Sequence, residues 1–172
     1  MLILRKTGIS EASLKSLEGI NFSSVSDPFV QSTISDDQNY KNWYQVFLLM
    51  EGIEIIGFII FIPIEKMLYD ALIDGEYISN INPKMIIRDS PYLLLHSYKI
   101  NKSSLIESFM ILTAFFKEIV SVYTNKQICY IIKHENTYDM MKHFMTFKKL
   151  NKNNDSIYTL DVANTNIDKK LL

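Results

Sequence analysis

Short apolar runs alternate with polar, turn-forming segments along the chain, and the spacing within each run separates strands from helices. Leu2 to Arg5 reads as a short strand. Ser10 opens a helix in which Leu14, Leu17 and Ile20 recur at helical spacing, with Gly19 at its end. Asn21 to Pro28 is a Ser-rich loop, and a second helix runs from Ser32 or Ser35 through Tyr40. Tyr44 to Met50 and Ile53 to Ile64 are apolar runs joined by Glu51-Gly52, the signature of an antiparallel hairpin. Gly57 interrupts the second run and predicts a bulge or a close backbone approach; Pro63 predicts a strand end at a sheet edge or outside the ladder. Glu65 to Leu72 reads as a short helix and Tyr92 to Ile100 as a strand. Ser104 to Tyr123 is the strongest helix: Ser104 and Glu107 form a capping box, and Leu105, Phe109, Leu112, Phe116, Ile119 and Tyr123 keep the helical period. Gln127 to Lys133 is a buried strand. Thr137 to Met145 is expected to be helical with Asn136 as N-cap. Phe147 to Leu150 and Ser156 to Val162 close the pattern as two strands.

The order β-α-α-β-β-(α)-β-α-β-α-β-β defines a mixed α/β (α+β) domain. Its central sheet is mixed and mostly antiparallel, with a parallel pair around the long helix and hairpins on either side. The chain of 172 residues, 48% hydrophobic and 22% charged, carries enough apolar material for one core. Its 18 basic and 19 acidic residues give a net charge of −1, which provides no electrostatic case for nucleic acid. The single cysteine, Cys129, excludes a disulfide framework and a Cys-rich zinc site. The first residues lack the apolar stretch of a signal peptide. The longest apolar run, Phe58 to Ile64, falls far short of the ~20 residues that span a bilayer. A cytoplasmic protein that engages neither membrane nor nucleic acid is expected.

The element order resembles the GNAT superfamily of N-acyltransferases, most strongly from Val46 to Leu150. The hairpin ending Ile56-Gly57-Phe58-Ile59-Ile60 is similar to the family's central hairpin. Tyr92 to Ile100 stands where the fourth strand stands, and Ser104 to Tyr123 where the central helix stands. Asn136 to Phe147, followed by Lys148-Lys149-Leu150, resembles the late "N…(Y)…GF" segment. Pro63 to Ser90 is similar to an insertion found in some bacterial members. The resemblance implies one GNAT-like domain over residues 1–165 with an insertion at about 64–90, and a frayed tail at 166–172. It also implies acetyl-CoA as co-substrate, an amine of a small molecule or protein as acceptor, and direct attack without a covalent enzyme intermediate. Tyr98, Ile100, Lys102, Ser103, Ser104, Leu105 and Asn136 then become the residues that hold the acyl-CoA.

Three departures from the family stand out. Its pyrophosphate loop reads Arg/Gln-x-x-Gly-x-Gly/Ala, whereas this chain reads Asn101-Lys102-Ser103-Ser104-Leu105-Ile106, without glycine. The late "GF" is Thr146-Phe147, and the tyrosine that protonates the leaving thiolate falls near Lys142 or His143. His96 and His143 are the candidate catalytic residues. A neutral imidazole at His96 suits deprotonation of an ammonium, and His143 sits where the acid is expected. The competing readings are a half-buried, hydrogen-bonded histidine at position 96 and a solvent-facing one at 143. Cys129, in an apolar strand, reads as an inert thiol, and the histidine spacing offers no metal motif. Phe115-Phe116 occupy consecutive helical positions about 100° apart; plain packing is the leading reading, and exposure of one ring as an interface is the alternative. An N-acyltransferase is the leading reading. The alternative is an inactive GNAT-like domain acting as a homodimerising or partner-binding module through Trp43, Tyr44 or the Phe115-Phe116 edge.

Overall fold

The computed structural model describes residues 2–7, 44–78, 81–101, 104–134 and 139–162. The two helices expected before Trp43, the connection residues Lys102 and Ser103, Asn136 and the tail lie outside them. Seven strands form one sheet: β1 (Leu2–Thr7), β2 (Gln45–Glu51), β3 (Glu54–Ile64), β4 (Tyr92–Ile100), β5 (Gln127–Ile132), β6 (Thr146–Leu150) and β7 (Ser156–Asp161). Their spatial order is β1-β2-β3-β4-β5-β7-β6. Every neighbouring pair is antiparallel except β4 and β5, which are parallel. A parallel pair needs a crossover, and helix α2 (Leu105–Val122) supplies it. The short helix α1 (Lys66–Ile73) follows β3.

The two helices lie on opposite faces of the sheet and define two cores. Leu112, Phe115, Phe116 and Ile119 of α2 pack with Phe47, Leu49, Ile59, Phe61, Leu93 and Leu95. Leu68, Tyr69 and Leu72 of α1 pack with Val46, Phe58, Ile60, Ile62, Leu94 and Cys129. The alternation of residues along β2 and β3 feeds the two cores in turn, which explains why both strands read as unbroken apolar runs.

Local signals placed most boundaries correctly. The Ser104 side chain accepts a hydrogen bond from the Glu107 backbone N–H at 3.4 Å, so α2 starts where the capping box predicts. Gly57 meets both expectations. The β2–β3 register passes from Leu49↔Gly57 to Met50↔Ile55, leaving Ile56 as the extra residue of a bulge. A side chain at Gly57 would also strike the Lys99 carbonyl oxygen across the β3–β4 ladder.

Two expectations are corrected, and for the Phe115-Phe116 pair the leading reading of plain packing holds. Pro63 lies within the β3–β4 ladder, opposite Leu93; its missing N–H is tolerated because the β2 ladder has already ended at Gln45↔Phe61. Neither Phe115 nor Phe116 is exposed. Phe115 packs edge-on against Phe47 at 5.5 Å, and Phe116 stacks on Phe144 at 4.8 Å. Phe47 and Phe61 of the sheet cover the first ring, and the segment carrying Phe144 covers the second. That segment is not the expected α-helix capped by Asn136. Its described part is a 3₁₀ helix, Met140–His143, capped by Asp139, whose carboxylate accepts the Met141 N–H at 2.9 Å. The carboxylate is tied to two tyrosines of the sheet, so the turn starts at Asp139 and stays short.

Candidate functional site

The site begins with an irregularity in β4. The β3–β4 register runs Ile60↔Ser97 and then Phe61↔Leu95, so His96 is the extra residue of a bulge. Such a bulge reverses the parity of the strand. Leu93 and Leu95 face the α2 core before it; Tyr98 and Ile100 face the same core after it. Simple alternation places His96 on one face with Leu94, Tyr98 and Ile100. The bulge corrects this: His96 and Leu94 line a pocket on the α1 side, while Tyr98 and Ile100 turn to the opposite face.

Next to the bulge the sheet forks. The parallel ladder between β4 and β5 stops at Leu95↔Tyr130, yet β4 continues to Ile100 and β5 to Ile132. Among the described residues, β4 from Ser97 onward is laddered with β3 and not with β5, so its second edge faces the fork.

On the α1 side the fork opens into a pocket of about 200 Å³. Leu72, Ile78, Ile81, Leu94, Leu95 and Ile131 give it an apolar lining; His96, Glu76, Tyr77, Lys133, Asn151 and Asp155 give it polar groups. The two carboxylates are already engaged. Glu76 pairs with Lys152 at 2.6 Å. Asp155 accepts the His134 backbone N–H at 3.1 Å and the Asn151 amide at 3.0 Å. Lys133 has no ion-pair or hydrogen-bond partner among the described residues, and it also lines two neighbouring recesses with His134.

On the α2 side the fork is held shut. The Tyr98 hydroxyl donates to one Asp139 oxygen at 2.7 Å, and the Tyr130 hydroxyl donates to the other at 2.5 Å. Asp139 is buried, and the two rings meet edge-on at 6.5 Å. One carboxylate thus ties β4, β5 and the 3₁₀ helix together across the gap. Burial first, and the Asp139 charge second, push both tyrosine hydroxyls well above their ordinary range, so both stay protonated donors. No sequence motif announced this clamp. Its members are far apart in the chain, and each alone is an ordinary core tyrosine or surface-type aspartate.

The other expected site residues are dispersed. His143 is exposed on the α2 side, its ring edge-on to Phe109 at 6.0 Å, so the structure does not bring it together with His96. Ser104 is spent on the helix cap, and Leu105 is 77% exposed at the first turn of α2. Ile106 and Met110 extend that exposed apolar surface. Tyr98 and Ile100 pack against the core. Burial pushes the Cys129 thiol up to about 12, which leaves it without nucleophilic character near neutral pH. Among the described residues no group of three or more His, Cys, Asp or Glu side chains is placed to hold a metal ion. No helix among them is long and apolar enough to cross a membrane.

Comparison with known proteins identifies the fold. No protein-family model and no curated protein matches the sequence. Solved structures do. A structure from Desulfovibrio desulfuricans, named as an acetyltransferase of the GNAT family, matches with a TM-score of 0.56 at 12% identity, over 95% of this chain and 100% of that one. A CoA-dependent acyl-homoserine lactone synthase, BjaI, solved with SAM and isopentyl-CoA, matches with a TM-score of 0.54 at 12% identity, over 99% of this chain and 88% of that one. FeeM, an N-acyl amino acid synthase from uncultured soil microbes, matches with a TM-score of 0.51 at 11% identity, over 95% and 94%. The chain therefore has the fold shared by GNAT acetyltransferases and these related acyl-transfer enzymes.

Proposed function

We propose that the chain is an N-acyltransferase that moves an acyl group, acetyl in the simplest case, from a CoA thioester to an amine. The observation that carries this reading is the β4 bulge, which turns His96 into a pocket beside a forked strand edge. The open edge from Ser97 to Ile100 offers backbone groups to the amides of a pantetheine arm. The acyl carbonyl then lies at the bulge, with the acceptor amine in the pocket. His96 takes the proton of the ammonium, the nitrogen attacks the thioester carbon, and backbone N–H groups stabilise the oxyanion. The tetrahedral intermediate expels the thiolate. His143 stays the proposed acid by the resemblance alone, since it lies exposed on the α2 side, away from the His96 pocket. The solved neighbours support the reading, since they are named for acetyl transfer, for acyl-homoserine lactone synthesis from a CoA donor, and for N-acyl amino acid synthesis.

The start of α2 fits the nucleotide end of CoA only in part. The orphan N–H groups of a helix start favour phosphate. Here Glu107 stands in the first turn and its N–H already serves Ser104, while Leu105 and Ile106 are exposed beside it. Affinity for the donor then rests mainly on the strand edge. This same weakness favours a second reading, a GNAT-fold binding module without activity. Of the surfaces that reading needs, Tyr44, Phe115 and Phe116 are buried, and Trp43 lies outside the described residues.

Calorimetric titration with acetyl-CoA and with desulfo-CoA, together with thiol-release assays on an amine panel, separates the two readings. The enzyme reading expects saturable binding and turnover, with His96→Gln lowering kcat by about 10²–10⁴-fold at unchanged fold stability. Absence of binding by either CoA species at millimolar concentration would sink it.

A further inference from the structure

We infer that the pocket beside His96 takes a small amine that also carries a carboxylate and an apolar side chain, that is, a free apolar α-amino acid. This deepens the acyltransferase reading and rests on it for the chemistry, but the binding argument stands on the pocket alone.

Charge accounting comes first. The pocket holds two carboxylates and one lysine. Glu76 is neutralised by Lys152, whereas Asp155 accepts hydrogen bonds from the neutral His134 N–H and Asn151 amide and keeps its charge. Lys133 balances Asp155 in the charge sum, yet its ammonium has no ion-pair or hydrogen-bond partner among the described residues. The pocket is thus neutral overall with one unengaged ammonium, which suits a net-neutral zwitterion whose carboxylate meets Lys133 better than a polyamine. Its lining is the second constraint. Ile78, Ile81, Leu94 and Ile131 present hydrocarbon, so the ligand also carries an apolar group. Size is the third. At about 200 Å³ the space lies below the ~300–1,000 Å³ usual for drug-sized ligands. It suits one amino acid better than a folded chain terminus. His96 on the same wall is the group that would meet the amine.

The transfer balances. The ammonium gives one proton to His96, and its nitrogen forms a C–N bond to the thioester carbon as the C–S bond breaks. The second proton passes to the departing thiolate. Thioester and amino acid become amide, free thiol and one proton released to solvent from His96.

The test uses acetyl-CoA with L-leucine, L-leucinamide, isoamylamine and L-serine, and reads both thiol release and direct calorimetric binding of each amine. L-leucine is expected to exceed leucinamide and isoamylamine by at least ten-fold in kcat/KM, and L-serine to fall similarly short. Lys133→Gln should reduce L-leucine to the level of leucinamide while leaving leucinamide unchanged, and Lys133→Arg should restore the preference. Equal use of leucine, leucinamide and isoamylamine, or no change in Lys133→Gln, would overturn the inference while leaving acyl transfer in place. Lys133-dependent binding of L-leucine without thiol release would uphold the pocket and overturn the donor chemistry. Neither binding nor turnover would overturn both.

Discussion

The two faces of the β4–β5 fork are built in opposite ways. On the α2 side a buried carboxylate draws Tyr98 and Tyr130 together, and aromatic rings fill the space around them. On the α1 side the same gap is an open pocket with His96 and Lys133, a lysine with no ion-pair or hydrogen-bond partner among the described residues. A single extra residue separates these outcomes. Without the bulge at His96, strict alternation would send Tyr98 to the pocket side and leave the clamp without its first tyrosine. The rigid face fixes the distance between the strands. The open face can then carry chemistry without having to hold the sheet together.

The largest expected effect comes from breaking the rigid face. Phe116 is fully buried and stacks on Phe144, the residue after the 3₁₀ helix capped by Asp139. Phe116→Ala should cost about 3–5 kcal/mol of stability, seen in urea unfolding as a lower midpoint with an unchanged slope. A loss below about 1 kcal/mol would mean that α2 and the 3₁₀ segment do not support each other.

Tyr98→Phe tests the clamp more narrowly. It removes one donor from a buried carboxylate that keeps Tyr130 and the Met141 N–H. The expected cost is about 1.5–3 kcal/mol, a fall in Tm of a few degrees for each kcal/mol at this size. The matching change on the other face, His96→Gln, should leave Tm nearly where it is while removing turnover. If Tyr98→Phe were silent in stability and His96→Gln destabilising, the assignment of rigid and open faces would be reversed. Alkaline absorbance titration adds a second readout. The Asp139 charge helps hold the Tyr98 and Tyr130 hydroxyls protonated, so Asp139→Asn should let both ionise at lower pH than in the parent protein.

Much of the framework was legible because its signals are local. The Ser104 cap, the Glu51-Gly52 turn, the Gly57 bulge and the apolar runs of β2 to β5 each lie within a few residues of what they determine. The site was less legible because its parts are set by register and by distant partners. His96 was noticed as a histidine in a strand, but its direction depends on how β4 pairs with β3, which alternation alone cannot tell. Asp139 went unnoticed because its meaning lies in Tyr98, 41 positions away. Lys133 closes the run read as a buried strand; only the folded arrangement shows an exposed ammonium with no partner among the described residues, beside a Glu76 that pairs with Lys152. Asn136 attracted the capping assignment because asparagine is a strong cap by type. Asn136 lies outside the described residues, and the described 3₁₀ helix is capped by Asp139 through its buried carboxylate.

The smallest expected effect probes the root of the fork, where open and closed regions meet. Cys129 pairs with Leu94 one rung before the ladder ends, and its thiol is fully buried on the α1 side. Burial pushes that thiol up to about 12 from an ordinary value of 9.0. Between these values the unfolded chain loses the proton and the folded chain keeps it. The contribution of Cys129 to stability is therefore complete below pH 9.0 and is lost as pH rises toward about 12. At pH 8 iodoacetamide should leave the folded protein unmodified over hours and label Cys129 at once in denaturant. Rapid native labelling would show that the strands part below the Leu95↔Tyr130 rung. The clamp on the α2 side would then fail to fix the fork, and the geometry at His96 would no longer be preset before substrate arrives.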